Sequence, residues 1–445
     1  MGYTFITILK RLRPKRVISG GAMIQRDLYL HQLVSYMWDG QIKVITGIRR
    51  CGKSVLLFEL FRDYLLSQGT SAENIITIEL DKRKDVKFRS PIALSSMVEA
   101  KIQNSAQQYY LFIDEIQLSV SVPDPDLPGE KVTIYDMLNE LRGYKNLDVY
   151  VTGSNSRMLS SDIVTEFRGR SSQIHVYPLS FREFFAAAGG DKRDAFDRYM
   201  LYGGMPYLLN LKEDRQRKDY LAQLFNEVYI KDIIEREGIE RPDVFSDILD
   251  FLASSVSSLT NPTNIANTLN STKRANISPK TVSSYLEYLK NAFLIREAKR
   301  WDIKGKRYFQ YPNKYYYTDI GLRNARVNFR QFDPGHIMEN ILYNELIIQG
   351  YSVDVGVVLD RRKDQKVQKE IDFVVNQGDK KVYIQSAYEM SHTEKTTSEL
   401  DSLRLTNDFF EKIVMRRDIP ASFTDENGIR HINVLDFLLG KETIF

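Results

Sequence analysis

The sequence predicts an α/β protein whose first part is a parallel β-sheet covered by helices. Between residues 41 and 180, short apolar runs without strict alternation are separated by helix-like segments. Runs of this kind are typical of strands buried on both faces, and their alternation with helices favours a parallel sheet. The runs are KVITG (43–47), NIITIEL (74–80), YYLFID (109–114), LDVYVTG (147–153) and SQIHVYPL (172–179).

Length and composition indicate a multidomain globular chain. The 445 residues exceed what one core can organise, since domains hold roughly 100 to 200 residues each. A net charge of +4 neither requires nor excludes nucleic acid as a partner. The single cysteine excludes an internal disulfide framework and indicates a reducing, cytoplasmic setting. No run of 18 uninterrupted apolar residues occurs, so we expect no membrane association.

The segment ITGIRRCGKSVLLFEL (45–60) contains the spacing G-x-x-x-x-G-K-[ST], carried by Gly47, Gly52, Lys53 and Ser54. It follows a predicted buried strand and begins an apolar-periodic helix, which is the context that a phosphate-binding P-loop requires. An ordinary glycine turn is the weaker alternative. We expect ATP here, with Lys53 on the β- and γ-phosphates and Ser54 on Mg²⁺. The other residues of the predicted nucleotide site are Ile48, Arg49, Arg50, Cys51 and Val55.

A second motif, YYLFIDEIQ, ends a predicted strand with Asp114 and Glu115. We expect this strand beside the P-loop strand, with Asp114 holding the water shell of Mg²⁺ and Glu115 polarising the attacking water. Two acids at the end of a strand are common by themselves. About 60 residues after a P-loop motif they predict ATP hydrolysis.

Two further segments contain candidates that act on the γ-phosphate. In VYVTGSNSRML, one of Ser154, Asn155 and Ser156 could orient the water, a simple turn being the equal alternative. In TEFRGRSSQ, Arg168 or Arg170 could reach the γ-phosphate of a neighbouring subunit as an arginine finger. A solvated surface arginine is the alternative for each. A finger of this kind requires a homo-oligomer, which we therefore expect.

The order of these motifs resembles that of AAA+ and STAND-like ATPases. From about residue 25 to 440, the chain resembles bacterial and archaeal AAA+-like ATPases that carry a C-terminal domain of uncharacterised function. The resemblance implies ATP binding by residues 47–54, Mg²⁺ coordination through Asp114, and Glu115 as catalytic acid. It also implies Asn155 as sensor and Arg168 or Arg170 as finger. The segments that carry it are GIRRCGKS, LFIDEIQ, VTGSNSRMLS, FRGR, YPLSFREF, YGGMPYLL, YIKDIIER and GHIMENILYNEL with KEIDFVV and VYIQSAY.

The predicted domains follow from these patterns. Residues 1–25 are an N-terminal extension, 26–180 the ATPase domain and 181–243 a helical lid. Residues 244–330 run helix, turn, helix and β-hairpin, which is the outline of a winged helix. Residues 331–445 mix a helix with strands.

The predicted winged helix has basic residues and tyrosines around the polar face of SPKTVSSYLEYLKNAFLI, whose helix begins after Ser278. This distribution favours DNA contact, and a protein–protein module is the alternative. The residues concerned are Lys273, Arg274, Lys280, Arg300, Lys304, Lys306, Arg307, Tyr308, Tyr311, Tyr315, Tyr316 and Tyr317.

The last domain resembles restriction-endonuclease-like nucleases. KEIDFVV followed by VYIQSAY places Asp372 and Gln385 at two of their metal-ligand positions, and Glu339 resembles their helical acid. These three residues form a possible second metal site. Ala387 stands where the nuclease pattern has lysine, and glutamine is a poorer Mg²⁺ ligand than a carboxylate. A relic fold that contacts DNA or protein is therefore favoured over a working nuclease.

Three functional hypotheses follow. The first is an ATP-driven molecular switch that acts on or with DNA. The second is an ATP-regulated, metal-dependent nuclease. The third is a STAND-like sensor in which ATP holds a state that responds to a partner protein.

Overall fold

The computed structural model describes residues 17–18, 21–22, 24–153, 167, 169–360, 367–390 and 400–445. Its first large sheet has five parallel strands in the order β2-β3-β4-β1-β5. Every residue of β1, β3 and β4 is buried, as predicted for strands covered on both faces. The strands are β1 (Ile42–Thr46), β2 (Ile75–Glu79), β3 (Tyr109–Asp114), β4 (Leu147–Thr152) and β5 (Ser171–His175).

The order of this sheet corrects one prediction. Strand β4 pairs with both β1 and β3, so the strand that ends in Asp114 is not the direct neighbour of the P-loop strand. The helices around the sheet are α1 (Asp27–Ser35), α2 (Lys53–Val55, a π-helical Leu56–Phe61, then Arg62–Ser67), α3 (Pro91–Lys101) and α4 (Ile134–Leu141). Short 3₁₀ helices are Ala72–Asn74, Arg83–Arg89 and Ile116–Leu118. Two further pairs of two-residue strands are antiparallel: Val17–Ile18 with Gly21–Ala22, and Val122–Pro123 with Lys131–Val132.

The segment predicted as a lid is helical, and its helices pack in two directions. Phe181, Phe184 and Phe196, on its first two helices, share a core with the last part of the chain. Tyr229 and Ile233, on the third, share a core with the P-loop residues Ile48 and Cys51. The helices are α5 (Phe181–Ala188), α6 (Lys192–Tyr202) and α7 (Asp214–Gln223, a π-helical Leu224–Ile230, then Lys231–Glu237), with a 3₁₀ turn at Pro206–Asn210.

The middle of the chain forms four helices and three strands. Capping residues fix the starts of two helices: Asn261 accepts from the N–H of Asn264, and Ser278 from that of Thr281. The elements are α8 (Pro242–Ser254), β6 (Leu259–Thr260), α9 (Pro262–Lys273), α10 (Pro279–Asn291), β7 (Ile295–Asp302), β8 (Arg307–Tyr317) and α11 (Ile320–Arg326).

The hairpin β7–β8 continues into the sheet of the last domain. Arg300 and Asp302 of β7 pair in parallel with Val355 and Val357 of β9, giving a nine-stranded sheet ordered β6-β8-β7-β9-β10-β11-β12-β14-β13. The division drawn at residue 330 therefore does not separate two sheets. The remaining elements are α12 (Pro334–Ile348), β9 (Ser352–Asp360), β10 (Val367–Gln377), β11 (Lys380–Ala387), β12 (Glu411–Arg416), β13 (Phe423–Thr424), β14 (Arg430–Asn433) and α13 (Val434–Leu438). Among the helices in the described ranges, none is long and apolar enough to cross a membrane.

Candidate functional site

The P-loop (residues 47–54) joins β1 to α2, and its backbone requires glycine at one position in particular. Gly47 has φ of 139°, and a Cβ built there would lie 2.1 Å from the carbonyl oxygen of Val176. The Cys51 thiol donates to that same carbonyl at 3.3 Å and is fully buried. Cys51 and the buried Ile48 thus face the core, so these two residues can offer a phosphate only their backbone groups.

The Lys53 side chain folds back onto the backbone of the P-loop. It is buried, and its Nζ donates to the carbonyl oxygens of Gly47 at 3.0 Å and Ile48 at 3.1 Å. If a phosphate bound in the loop, its oxygen would replace these neutral carbonyls as the hydrogen-bond acceptor of the Lys53 ammonium. Charge-assisted bonds to phosphate are stronger than bonds to carbonyls, so the arrangement suits an anion.

Ser54 and Asp114 meet although a strand separates β1 from β3. The Thr152 hydroxyl donates to Oδ1 of the Asp114 carboxylate, and the Ser54 side chain is near enough to this carboxylate to favour its charged form. Burial raises the pKa of Asp114, Thr152 and Ser54 oppose this rise, and the neighbouring charge of Glu115 adds to it. A divalent cation held by the hydroxyl and the carboxylate would keep Asp114 charged, so the predicted Mg²⁺ ligands fit that ion.

Glu115 has a left-handed backbone conformation, with φ of 52°. Its N–H donates to the Thr152 hydroxyl at 3.1 Å, and its carboxylate accepts a hydrogen bond from Gln117. Thr152 therefore contacts both acids of the motif. Sequence reasoning missed this residue, although a polar side chain ending the apolar run LDVYVT was a usable signal.

Arg26 is a second residue that sequence reasoning missed. Its guanidinium donates to the carbonyl oxygens of Cys51 at 3.2 Å and Tyr177 at 2.6 Å, and forms a 3.0 Å ion pair with Glu183. Arg26 is 5% exposed. It joins the P-loop to the connection between β5 and α5, and its position upstream of the motif gave no local signal.

Helix α7 also contacts the P-loop, through Tyr229 and Asp232. The Tyr229 hydroxyl donates to the Arg49 carbonyl oxygen at 2.7 Å, and Nη2 of Arg49 pairs with Asp232 at 3.3 Å. A Cβ built at Gly52 would lie 4.0 Å from the ring of Pro206. Two segments of the predicted lid thus rest on the predicted nucleotide loop.

The remaining predicted residues of the ATPase site are placed as follows. Ser154, Asn155, Ser156 and Arg168 lie outside the described residues. Arg170 is exposed at the amino end of β5, whereas the P-loop lies at the carboxyl end of the sheet. At roughly 3.3 Å per strand residue, it is about 16 Å from the P-loop end of that strand. It is therefore too far away to contact a nucleotide at the P-loop of its own chain.

Several residues predicted to touch DNA are buried or already paired. Arg300 is buried and donates to the Gln368 side chain at 2.7 Å, and Lys273 pairs with Asp247 at 2.6 Å. The hairpin tip is exposed, although Arg307 pairs with Asp302 at 3.6 Å and the Tyr308 hydroxyl donates to Asp354 at 2.9 Å. The buried tyrosines are Tyr315, Tyr316 and Tyr317, and the exposed tip residues are Lys304, Lys306, Arg307 and Tyr308.

The acids of the predicted second metal site come together around an ammonium group. Lys314 of β8 is 3% exposed, and its Nζ lies 2.7 Å from Glu339, 2.6 Å from Glu370 and 3.2 Å from Asp372. Gln385 accepts a 3.4 Å hydrogen bond from the Asp372 N–H. Among the described residues, no group of three or more His, Cys, Asp or Glu side chains is placed to hold a metal ion. The structure thus does not support a metal at Glu339, Asp372 and Gln385, because the Lys314 ammonium lies among these acids.

Protonation in this cluster agrees with a lysine as its cation. Burial and the charge of Glu339 raise the pKa of Asp372 to about 8, while Lys314 lowers it less. Burial also acts to raise the pKa of Glu339, but Lys314, His336 and Tyr316 outweigh it and lower that pKa. Burial lowers the pKa of Lys314, whereas Glu339, Asp372 and Glu370 raise it well above the ordinary value. Lys314 and Glu339 thus form a buried ion pair beside an Asp372 carboxyl whose raised pKa disfavours its charged form.

Comparison with known proteins identifies the family. The family model for an AAA domain matches residues 39–185. An uncharacterised protein of Haemophilus influenzae is 35% identical over 423 residues, covering 94% of this chain and 99% of that protein. The chain belongs to the same family as that protein. With the AAA domain match, this confirms the predicted AAA+-like P-loop ATPase family and its α/β fold.

One further relative, two further family models and one solved structure also match the chain. This AAA+-like ATPase is 27% identical over 389 residues to an uncharacterised protein of Methanocaldococcus jannaschii, covering 84% of this chain and 79% of that one. Domains of unknown function DUF8612 and DUF4143 match residues 193–333 and 334–432. The solved structure of the Aeropyrum pernix ORC1 protein in complex with DNA is 11% identical, covering 69% of this chain and 93% of that one. Its TM-score of 0.28 is too low to carry an argument.

Proposed function

We propose that this protein is an ATP-hydrolysing molecular switch that works with DNA. The observation that carries the ATPase part is the buried Asp114 carboxylate at the end of β3, whose charged form is favoured by Ser54, the residue after Lys53 at the start of α2. A hydroxyl that follows β1 and a carboxylate that ends β3 would thus form the two halves of one Mg²⁺–nucleotide site. Lys53 would hold the phosphates, Ser54 and Asp114 would hold Mg²⁺, and Glu115 would polarise the attacking water.

The contacts of α7 support the switch part of the proposal. Tyr229 and Asp232 bind the backbone and side chain of Arg49, within the loop that would receive the phosphates. Helix α7 also shares its core with α8 and α10, through residues such as Ile248 and Leu286. A change in the P-loop on hydrolysis could therefore bias the position of α7 and of the helices packed on it.

The order of elements in the middle domain supports the DNA part. Helix α8, strand β6, helices α9 and α10, and the hairpin β7–β8 follow one another as in a winged helix, with strands ordered β6-β8-β7. The hairpin tip carries three exposed basic side chains, those of Lys304, Lys306 and Arg307. We also propose a homo-oligomer, in which Arg168 or Arg170 acts in trans and Asn155 orients the water. The reducing cytoplasm is our proposed location, consistent with the buried free thiol of Cys51.

ATP hydrolysis with and without duplex and single-stranded DNA tests the proposal. We expect DNA to raise the rate in a strongly salt-dependent way. Lys53→Ala should abolish nucleotide binding and hydrolysis, whereas Glu115→Gln should keep binding and lose hydrolysis. Hydrolysis by Lys53→Ala at the wild-type rate would contradict the ATPase assignment. A rate indifferent to DNA but changed by a partner protein would favour the sensor hypothesis instead.

For the last domain we propose contact, not cleavage. A nuclease of the resembled type needs carboxylates converging on Mg²⁺, and here Lys314 neutralises them. We expect no cutting of DNA with Mg²⁺ or Mn²⁺. Metal-dependent cutting that disappears in Asp372→Ala would overturn this assignment and restore the nuclease hypothesis.

A further inference from the structure

A cavity of about 740 Å³ lies between the tip of the hairpin β7–β8 and the last domain. Its walls come from three separate parts of the chain: the tip residues Lys304 and Lys306, Lys381 of β11, and Phe410 before β12. Its volume is in the range of sites that hold a nucleotide-sized group. From this cavity we propose a binding site for a single strand of DNA, an inference that rests on the proposed action on DNA.

Charge at the cavity favours a polyanion. Lys304 and Lys306 are exposed, and Lys381 extends over the Phe410 ring, 5.1 Å from its centroid. Asp408, the acid among the described lining residues, accepts from the Tyr383 hydroxyl at 2.7 Å and from Lys412 at 3.5 Å. Its charge is thus already engaged, and the three lysines give the cavity a net positive charge that suits phosphates.

Aromatic rings at the cavity favour unpaired bases. The Phe410 side chain is 42% exposed, and its neighbour Phe409 is fully exposed. Trp301 lines the cavity and packs edge-on against the half-exposed Tyr308, at 4.7 Å between centroids. Exposed rings interleaved with lysines are typical of surfaces that stack bases and follow a backbone. Bases in a duplex are stacked inside the helix and cannot reach such rings, so a single strand is the form that fits.

The backbone is strained on both sides of the cavity. Lys306 at the hairpin tip has φ of 49°, and Asn407 on the facing loop has φ of 51°. Both are left-handed conformations, which non-glycine residues adopt rarely and which collect at binding sites.

Fluorescence anisotropy with a labelled oligothymidylate of about 20 nucleotides tests the inference on the full chain. We expect Lys381→Glu and Phe410→Ala each to weaken binding by about tenfold, and the lysine change to lower the salt slope by about one. Lys145→Glu and Phe423→Ala are matched controls, since both side chains are exposed and lie outside the cavity. Both controls should bind like the wild type, and all four variants should keep the wild-type basal ATP hydrolysis and thermal unfolding midpoint.

The outcomes separate this inference from the proposed function. Weaker binding by the cavity variants alone supports the site. If DNA stimulates wild-type ATP hydrolysis but the cavity variants bind single strands normally, the site is wrong and the proposed function stands. Tighter binding of duplex than of single strands would also overturn the site. If the wild type binds no DNA and its rate of ATP hydrolysis is the same with and without DNA, both the proposed site and the DNA part of the proposed function are wrong.

Discussion

Replacing Lys314 with methionine tests whether an ammonium group neutralises the buried acids of the last domain. Methionine keeps most of the side-chain volume and removes the charge. Nζ of Lys314 lies within 3.2 Å of Glu339, Glu370 and Asp372. Glu370 is 32% exposed and can be solvated, and the raised pKa of Asp372 lets that carboxyl take up a proton readily when the ammonium is removed. The charge left without compensation is therefore mainly that of the buried Glu339 carboxylate.

Removing one partner of a buried ion pair destabilises a protein by about 3–5 kcal/mol. In the variant, burial would raise the pKa of Glu339 in the folded state above its unfolded value. A carboxyl group with a raised folded-state pKa costs no stability at low pH, where it is protonated in both the folded and the unfolded protein. As pH rises from the unfolded pKa through the folded pKa, the folded protein loses stability relative to the unfolded one. The deficit relative to wild type should therefore be small at about pH 4 and large at about pH 7.5.

Urea unfolding at these two pH values measures the effect, followed by the fluorescence of Trp301 on β7 and by far-ultraviolet circular dichroism. Lys273→Met is the control, because Lys273 forms an exposed ion pair with Asp247, and it should leave unfolding nearly unchanged. If Lys314→Met is as stable as wild type at about pH 7.5, the reasoning is refuted. A second arm adds Mn²⁺, which should stabilise the variant, by about 2.7 kcal/mol at 100 times its dissociation constant, and not the wild type.

Three further predictions follow from the structure. Thr152→Val removes the hydrogen bonds that join Thr152 to Asp114 and Glu115, each worth about 1 kcal/mol, so hydrolysis should fall by up to about thirtyfold with nucleotide affinity kept. A wild-type rate would contradict the role of Thr152. Arg170→Ala should suppress hydrolysis only in an assembled form, and an equal loss in a strictly monomeric form would show that no trans contact is involved. Burial raises the pKa of Glu345 to about 7, so the fold should lose up to about 3 kcal/mol as pH rises from about 4.5 to 7. Glu345→Gln should flatten this pH dependence in thermal unfolding, and an unchanged slope would assign it to other groups.

Local patterns were sufficient to predict the AAA+-like family, because its motifs lie in short segments. The spacing from Gly47 to Ser54 and the acids after YYLFI each fix residue type and position within a few residues. Burial of the three central strands β1, β3 and β4 also followed from their apolar runs, whereas the edge strands β2 and β5 are only partly buried. The position of β4 between β1 and β3 did not, because strand order depends on pairing across the sheet and not on the composition of any strand.

The sequence by itself determined that this protein carries a phosphate loop, a pair of acids and strands buried on both faces. Only the tertiary structure decided that Ser54 meets Asp114, that Thr152 contacts both acids, and that Lys314 lies among the acids of the last domain. The physical reason is separation along the chain. Lys314 is 25 residues from Glu339 and 58 from Asp372, and it reaches them because the hairpin β7–β8 pairs in parallel with β9. Periodicity within one segment carries no information about such a pairing, so the burial of Lys314 among these acids could not be predicted from its own segment.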